Sequence, residues 1–127
     1  MSLRSDLGRV RGLGSAKAGV HHWWHQRLSA VALVPLSLWF VSALLGHLHD
    51  DHLAVTAWIR SPFVTVLLVS LIAATFYHAK LGLQVVIEDY LHTAPTKIAA
   101  LVVMKLGLAF GALLGIVAVL KISLATA

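Results

Sequence analysis

The histidines are the residues of this 127-residue chain most able to do chemistry, and there are eight of them. One of them, His78, lies near the middle of a long apolar run, where a polar imidazole is costly and therefore a functional candidate. Neutral imidazole binds iron well, so a dry site at this depth predicts an axial haem ligand. A hydrogen bond from His78 to a neighbouring helix is the structural alternative, and the residue types alone leave both open.

Two residues that follow His78 share its face of a predicted helix. At 100° per residue, Gly82 lies about 40° and Asp89 about 20° from His78. A glycine one turn from an iron ligand leaves room for a flat macrocycle, and Asp89 beside Tyr90 could hold and protonate a polar head group at the membrane edge. The alternative for residues 88–90 is a helix end that meets water, with Tyr90 as an interfacial aromatic residue.

A second polar group precedes the first apolar run. His21 and His25 have the spacing of four that would pair them on one helix face as metal ligands. Arg27 could bind carboxylates or phosphates through two parallel hydrogen bonds, or could serve only as a charged anchor at the interface. The histidine- and aspartate-rich segment 47–52 resembles a metal cluster by composition, but its spacing matches no motif and favours a solvated external loop.

Composition determines the kind of protein that must position these residues. Hydrophobic residues make up 59% of the chain and charged residues 12%, with a mean hydropathy of +0.87. A soluble domain of this size could not bury so much apolar surface. These values exclude a soluble enzyme, a free nucleic-acid-binding module and a disordered chain. The absence of cysteine also excludes iron–sulfur ligation by this chain.

Three apolar runs predict three membrane-spanning helices, at about 28–48, 63–88 and 98–120, since about 20 residues cross a bilayer. We therefore expect an all-α integral membrane protein with a membrane region at 27–127. Residues 1–26 form a basic segment without the apolar core of a secretory signal. Because Lys and Arg are concentrated there, the N-terminus and the second loop should be cytoplasmic, and the first loop and C-terminus external.

Two lysines and three glycines occupy the predicted spans without an assigned role. Lys80 and Lys105 must reach the interface, pair with another group or face a polar cavity. Gly107, Gly111 and Gly115 share one face, which permits close packing of helices, either within one bundle or between two copies of the chain.

The strings Gly19-Val20-His21-His22-Trp23-Trp24-His25-Gln26-Arg27 and His78-Ala79-Lys80-Leu81-Gly82-Leu83-Gln84-Val85-Val86-Ile87-Glu88-Asp89-Tyr90 together resemble a known family. It is the cytochrome b membrane anchor of succinate dehydrogenase (respiratory complex II), of the type of its smaller hydrophobic anchor. The H-x3-G-x6-D-Y pattern is fairly specific, and the G-V-H-x5-R pattern is supportive. The resemblance extends from about Gly14 to the end of the chain.

The resemblance implies a membrane anchor that is half of a two-subunit helical bundle. The second anchor subunit would share a haem b with this chain, with His78 as one axial ligand of the iron, Gly82 beside it, and His21 and Arg27 near the propionates. Tyr90 would hydrogen-bond a ubiquinone carbonyl, with Asp89 in the proton-handling region.

The same resemblance implies the remaining partners and the location. An iron–sulfur subunit and a flavoprotein subunit would carry out succinate oxidation, with no catalysis by this chain alone and no nucleic acid bound. The chain would lie in lipid of the bacterial inner membrane, or of the mitochondrial inner membrane in a eukaryote.

Other functions stay open from the residues. They are a fumarate reductase anchor, a haemless structural anchor, and a small proton or ion conductor that uses His78, Lys80 and Lys105 as relays.

Overall fold

The computed structural model describes residues 6–10 and 19–125, and this part of the chain is helical with no β-strand. Its five helices are α1 (Asp6–Val10), α2 (Gly19–Gly46), α3 (His52–Arg60), α4 (Pro62–Tyr90) and α5 (Ala94–Leu124). Half of the predicted basic segment 1–26 lies outside the described residues.

Helices α2, α4 and α5 are long and apolar enough to cross a membrane, which confirms the all-α prediction with three spans. They contain 28, 29 and 31 residues, and so are about 42–46 Å long against a hydrocarbon core of about 30 Å. Helices α4 and α5 extend beyond their predicted apolar runs at both ends, whereas α2 begins at Gly19 instead of near residue 28 and ends at Gly46, two residues before the predicted end. An apolar run marks the lipid-embedded part of a helix, whereas the backbone hydrogen bonds continue into the polar interface.

Helix α4 is the centre of the bundle. It packs against α2 on one side and α5 on the other, and the described residues of α2 and α5 make no contact with each other. The buried apolar residues are Val64, Leu68 and Leu81, all on α4. Most other large apolar side chains face outward, as expected for a protein whose surface meets lipid or other membrane helices.

The connection between α2 and α4 contains a short helix that the sequence analysis missed. Only a loop was predicted there, but residues 52–60 form α3, which packs against α4 and α5. The carboxylate of Asp51 accepts a hydrogen bond from the Ala54 backbone N–H at 2.8 Å, the usual N-cap arrangement. This aspartate, followed by Val55, Trp58 and Ile59 at helical spacing, is the signal that indicates an amphipathic helix.

Thr65 joins the C-terminal end of α3, the N-terminal end of α4 and the C-terminal end of α5. Its buried hydroxyl lies 2.8 Å from the Ile59 carbonyl oxygen and 3.1 Å from the Ser61 carbonyl oxygen, and 2.8 Å from the Ser123 hydroxyl near the end of α5. Because lipid offers no hydrogen-bonding partners, this shared set of contacts fixes the turn between α3 and α4 against α5.

Two of the three glycines on α5 allow close packing against α4. A Cβ added at Gly111 would lie 2.8 Å from Phe76, and one at Gly115 would lie 3.3 Å from Ile72. Nothing lies within 4 Å of the corresponding point at Gly107. The glycine face therefore packs within the bundle at two of its three positions.

We predict that Gly111→Leu separates α5 from α4 and destabilises the chain, by about 1–3 kcal/mol as for other overpacked sites. The matched variant Gly107→Leu, on the same helix but facing open space, should leave stability unchanged. Thermal unfolding in detergent, followed by circular dichroism, measures both variants. Equal midpoints for the two variants would contradict the assigned packing face.

Candidate functional site

His78 lies in the middle of α4 and faces α2, half-buried between the two helices. Its ring nitrogen Nδ1 lies 3.0 Å from the Ser29 hydroxyl, and Nε2 lies 3.2 Å from the Gln26 amide nitrogen. The hydrogen bond to a neighbouring helix that the sequence left open is therefore present. It does not exclude a ligand role, because metal-binding histidines commonly hydrogen-bond through their second nitrogen.

The hydrogen bonds around Ser29 match the tautomer of His78 that is protonated at Nδ1. The Ser29 hydroxyl lies 3.0 Å from the backbone carbonyl oxygen of Gln26 on its own helix, which is an acceptor for its one proton. With the proton placed there, the hydroxyl oxygen accepts from Nδ1–H of His78, and Nε2 presents a lone pair to which the Gln26 amide donates. A neutral imidazole with Nδ1 protonated and Nε2 free is the form that binds metals through Nε2.

The Gln26 side chain is incompletely bonded in this arrangement. Its amide oxygen Oε1 is buried and has no hydrogen-bond partner among the described residues. The ring nitrogen Nε2 of His22, one turn earlier on α2, is buried and unpartnered in the same way. Unpartnered buried polar atoms are costly and call for an explanation, such as a bound group.

A groove opens beside Gln26, between the first half of α2 and the last half of α4. Its volume is about 640 Å³, within the range of small-molecule sites, and its lining includes the following residues: His22, Trp23, Gln26, Gly82, Val85 and Glu88. Gly82 lines this groove, and a Cβ there would come into van der Waals contact with the Gln26 amide nitrogen, at 3.5 Å. His78 does not line the groove, but it contacts the same Gln26 amide nitrogen, so Gln26 lies between the two residues.

His21 and Arg27 are not part of the His78 contact in this chain. Both side chains are exposed on α2, and the Arg27 guanidinium lies over the Trp23 ring, 5.4 Å from its centre. The Nδ1 atom of His25 lies 2.9 Å from the Tyr77 hydroxyl on α4, and the His21–His25 metal pair stays a prediction. Within residues 6–10 and 19–125, no three histidine or acidic side chains are placed to hold a metal ion together.

The acidic end of α4 lies outside the groove except for Glu88. Asp89 and Tyr90 form its last turn, and Tyr90 is 78% exposed. The Lys97 ammonium donates to the Glu88 carbonyl oxygen at 2.9 Å, which ties the end of α4 to the start of α5. This end is therefore held in place while the Tyr90 phenol remains accessible.

The sequence analysis missed Ser29 and Gln26 as functional residues. With His22 they stand at positions i, i+4 and i+7 of α2, so the three polar side chains share one face of an otherwise apolar helix. That polar stripe is the signal that could have identified the face of α2 that meets His78.

Comparison with known proteins agrees with this architecture. The family described as Succinate dehydrogenase/Fumarate reductase transmembrane subunit matches residues 1–121. The succinate dehydrogenase hydrophobic membrane anchor subunit of Rickettsia bellii (strain RML369-C) is 34% identical over 81% of this chain and 82% of its own length. The protein of the same description from Paracoccus denitrificans is 28% identical over 71% of this chain and 70% of its own length. No solved structure matches the chain.

A family match of this extent, on three apolar helices, shows that the chain belongs to the succinate dehydrogenase/fumarate reductase transmembrane subunits. It is a multi-pass membrane protein. Because these relatives carry the name of succinate dehydrogenase, its particular function is that of a membrane anchor subunit of succinate dehydrogenase. The resemblance noted from the sequence is thereby confirmed.

Proposed function

We propose that this chain is a haem- and quinone-binding anchor of succinate:ubiquinone oxidoreductase. With a second anchor subunit it would hold haem b and ubiquinone, and dock the iron–sulfur and flavoprotein subunits to the membrane. The observation that carries the proposal is His78, whose Nδ1 contacts the Ser29 hydroxyl and whose Nε2 contacts Gln26, a residue that lines an open groove.

The residues around His78 fit a haem. The hydrogen bonds of His78 match the tautomer protonated at Nδ1, which leaves Nε2 for iron. The side chain next to Nε2 is Gln26, whose amide oxygen has no hydrogen-bond partner among the described residues. Gly82 provides space on the same side of α4. When bound, the haem iron accepts and donates one electron.

Arg27 and His21 would bind the haem propionates. A guanidinium forms paired hydrogen bonds with carboxylates, and Arg27 is exposed on α2 close to the groove residue Gln26. Its present contact with Trp23 is a weak one that an anion could replace.

Tyr90 and Asp89 would serve the quinone. Reduction of ubiquinone to ubiquinol takes two electrons and two protons. The electrons would come from an iron–sulfur subunit, since this chain has no cysteine to hold a cluster. The Tyr90 hydroxyl would donate a hydrogen bond to one quinone carbonyl and so orient the ring, while the neighbouring Asp89 carboxyl would pass protons from water at the end of α4.

The orientation follows from charge. The arginines and lysines near the N-terminus favour the cytoplasmic side of a bacterial inner membrane, or the matrix side in a mitochondrion. The end of α4 that carries Tyr90 would then lie on the same side, where soluble subunits could dock.

Two alternatives lose support. A relay through His78, Lys80 and Lys105 is disfavoured because His78 faces α2, whereas both lysines line a groove between α4 and α5. A fumarate reductase anchor shares the family description, but the Rickettsia and Paracoccus relatives are named for succinate dehydrogenase.

The ligand role is tested by His78→Ala in the purified complex. We expect the b-type absorbance bands of the reduced complex to disappear, because the iron would lose the ligand that this chain supplies. The control His25→Ala removes a nearby imidazole of α2 that contacts Tyr77 instead, and should keep the bands. Unchanged spectra in His78→Ala would show that His78 is not a haem ligand.

The positioning role of Ser29 is tested by Ser29→Ala. Losing the acceptor of Nδ1–H makes the imidazole a weaker electron donor, so the haem midpoint potential should rise, by about 20–60 mV for a hydrogen bond of about 0.5–1.5 kcal/mol. Ser42→Ala is the matched control, because Ser42 makes the same contact to its own helix, 2.8 Å from the Trp39 carbonyl oxygen, without touching His78. Redox titration measures the haem midpoint potential of both variants, and equal potentials would refute the positioning role of Ser29.

The quinone role is tested by Tyr90→Phe. Without the hydroxyl, succinate:quinone reductase activity should fall at least about tenfold, as expected for a lost oriented donor in a catalytic site. Succinate oxidation with a soluble artificial acceptor should persist. Tyr77→Phe, which changes the other tyrosine of α4, should affect neither activity. Normal quinone reduction in Tyr90→Phe would show that the Tyr90 hydroxyl does not bind the quinone and that Tyr90 is only an interfacial aromatic residue.

A further inference from the structure

The two lysines of the membrane spans meet in one place. Lys80 on α4 and Lys105 on α5 both line a groove of about 360 Å³ between these helices. The rest of its lining is apolar or aromatic: Ala73, Phe76, Tyr77, Leu108, Ala109, Ala112 and Ile116. Sequence reasoning assigned no role to either lysine, whereas the fold brings them to a shared site.

Neither lysine is neutralised within the described part of the chain. The protein has only five acidic residues, and no carboxylate of the described residues lies within ion-pair distance of Lys80 or Lys105. The Lys80 ammonium does lie 5.8 Å from the centre of the Tyr77 ring, a weak cation–π contact. Two like charges that share an apolar groove repel each other, so the arrangement favours an anion between them.

The position of the groove relative to the membrane identifies the source of the anion. Lys80 lies eight residues before Glu88, and Lys105 lies eight residues after Lys97, so both are about 12 Å from the polar end of their helices. A lysine side chain can extend much of that distance toward the interface. Both lysines therefore lie nearer the end of the bundle that carries Tyr90, and turning the Lys80 ammonium from the Tyr77 ring toward that end would bring it closer to the lipid headgroups.

We propose that this groove binds one anionic phospholipid. The Lys80 and Lys105 ammonium groups would hold its phosphate, and an acyl chain would lie along the small residues Ala73, Ala109 and Ala112. Basic pockets between membrane helices recognise anionic headgroups in this way. Lys80 is also about 200° from His78 around α4, so the lipid would occupy the side of α4 away from the proposed haem site.

The test uses the intact complex in nanodiscs of phosphatidylcholine, titrated with phosphatidylglycerol and examined by native mass spectrometry. The wild type should retain phosphatidylglycerol in preference to phosphatidylcholine. Lys80→Gln/Lys105→Gln should bind phosphatidylglycerol about thirtyfold more weakly, as expected from the loss of two charges near the headgroups. Lys80→Arg/Lys105→Arg keeps both charges and should bind phosphatidylglycerol as the wild type does. Lys121→Gln, at the other end of α5, should bind as the wild type does.

Two results would overturn the proposal. One is phosphatidylglycerol retention in the double glutamine variant equal to that of the wild type. The other is a double glutamine variant that loses the second anchor subunit while its lipid retention per complex is unchanged. That result would mean that the lysines form ion pairs with a carboxylate of the partner subunit. Should the double variant fail to accumulate, each single glutamine variant should show about fivefold weaker binding. The haem spectrum of the same samples reports separately on the proposed function.

Discussion

The contact of His78 with Ser29 and Gln26 is the interaction on which the site depends. It is polar, it lies between α2 and α4, and in a membrane its loss could not be compensated by water. It fixes the face of α4 that meets α2, and its geometry favours the tautomer in which Nδ1 carries the proton. Packing of the two helices and the chemistry of the ring are therefore set by the same three side chains.

Different sides of helix α4 contact different neighbours. Toward α2 it presents His78 and Gly82, and toward α5 it presents Phe76 and Ile72, which fill the space left by glycines. Lys80 faces a groove shared with α5. Because α2 and α5 do not touch within the described residues, each face of α4 can meet its neighbour independently.

The sequence was sufficient for features that depend on local composition. Apolar runs identified three spans, and helical spacing placed Gly82 beside His78. The partners of His78 could not be derived in this way, because which faces of two helices meet is a long-range property of packing. Helix α3 was missed although Asp51 signals its start. The quinone-binding roles of Asp89 and Tyr90 stay predictions. Both residues lie at the accessible end of α4, and the site proposed there would be completed by other subunits.

The contact between Gln26 and His78 also bears on the maturation of such a protein. If His78 binds iron as proposed, its unloaded imidazole would otherwise face hydrocarbon without a hydrogen-bond partner. The Gln26 amide would take the place of the metal, so that the newly inserted polypeptide could reach its final helix arrangement before any prosthetic group is delivered. Loading would then exchange one neutral donor for a metal, without dismantling the helices around it.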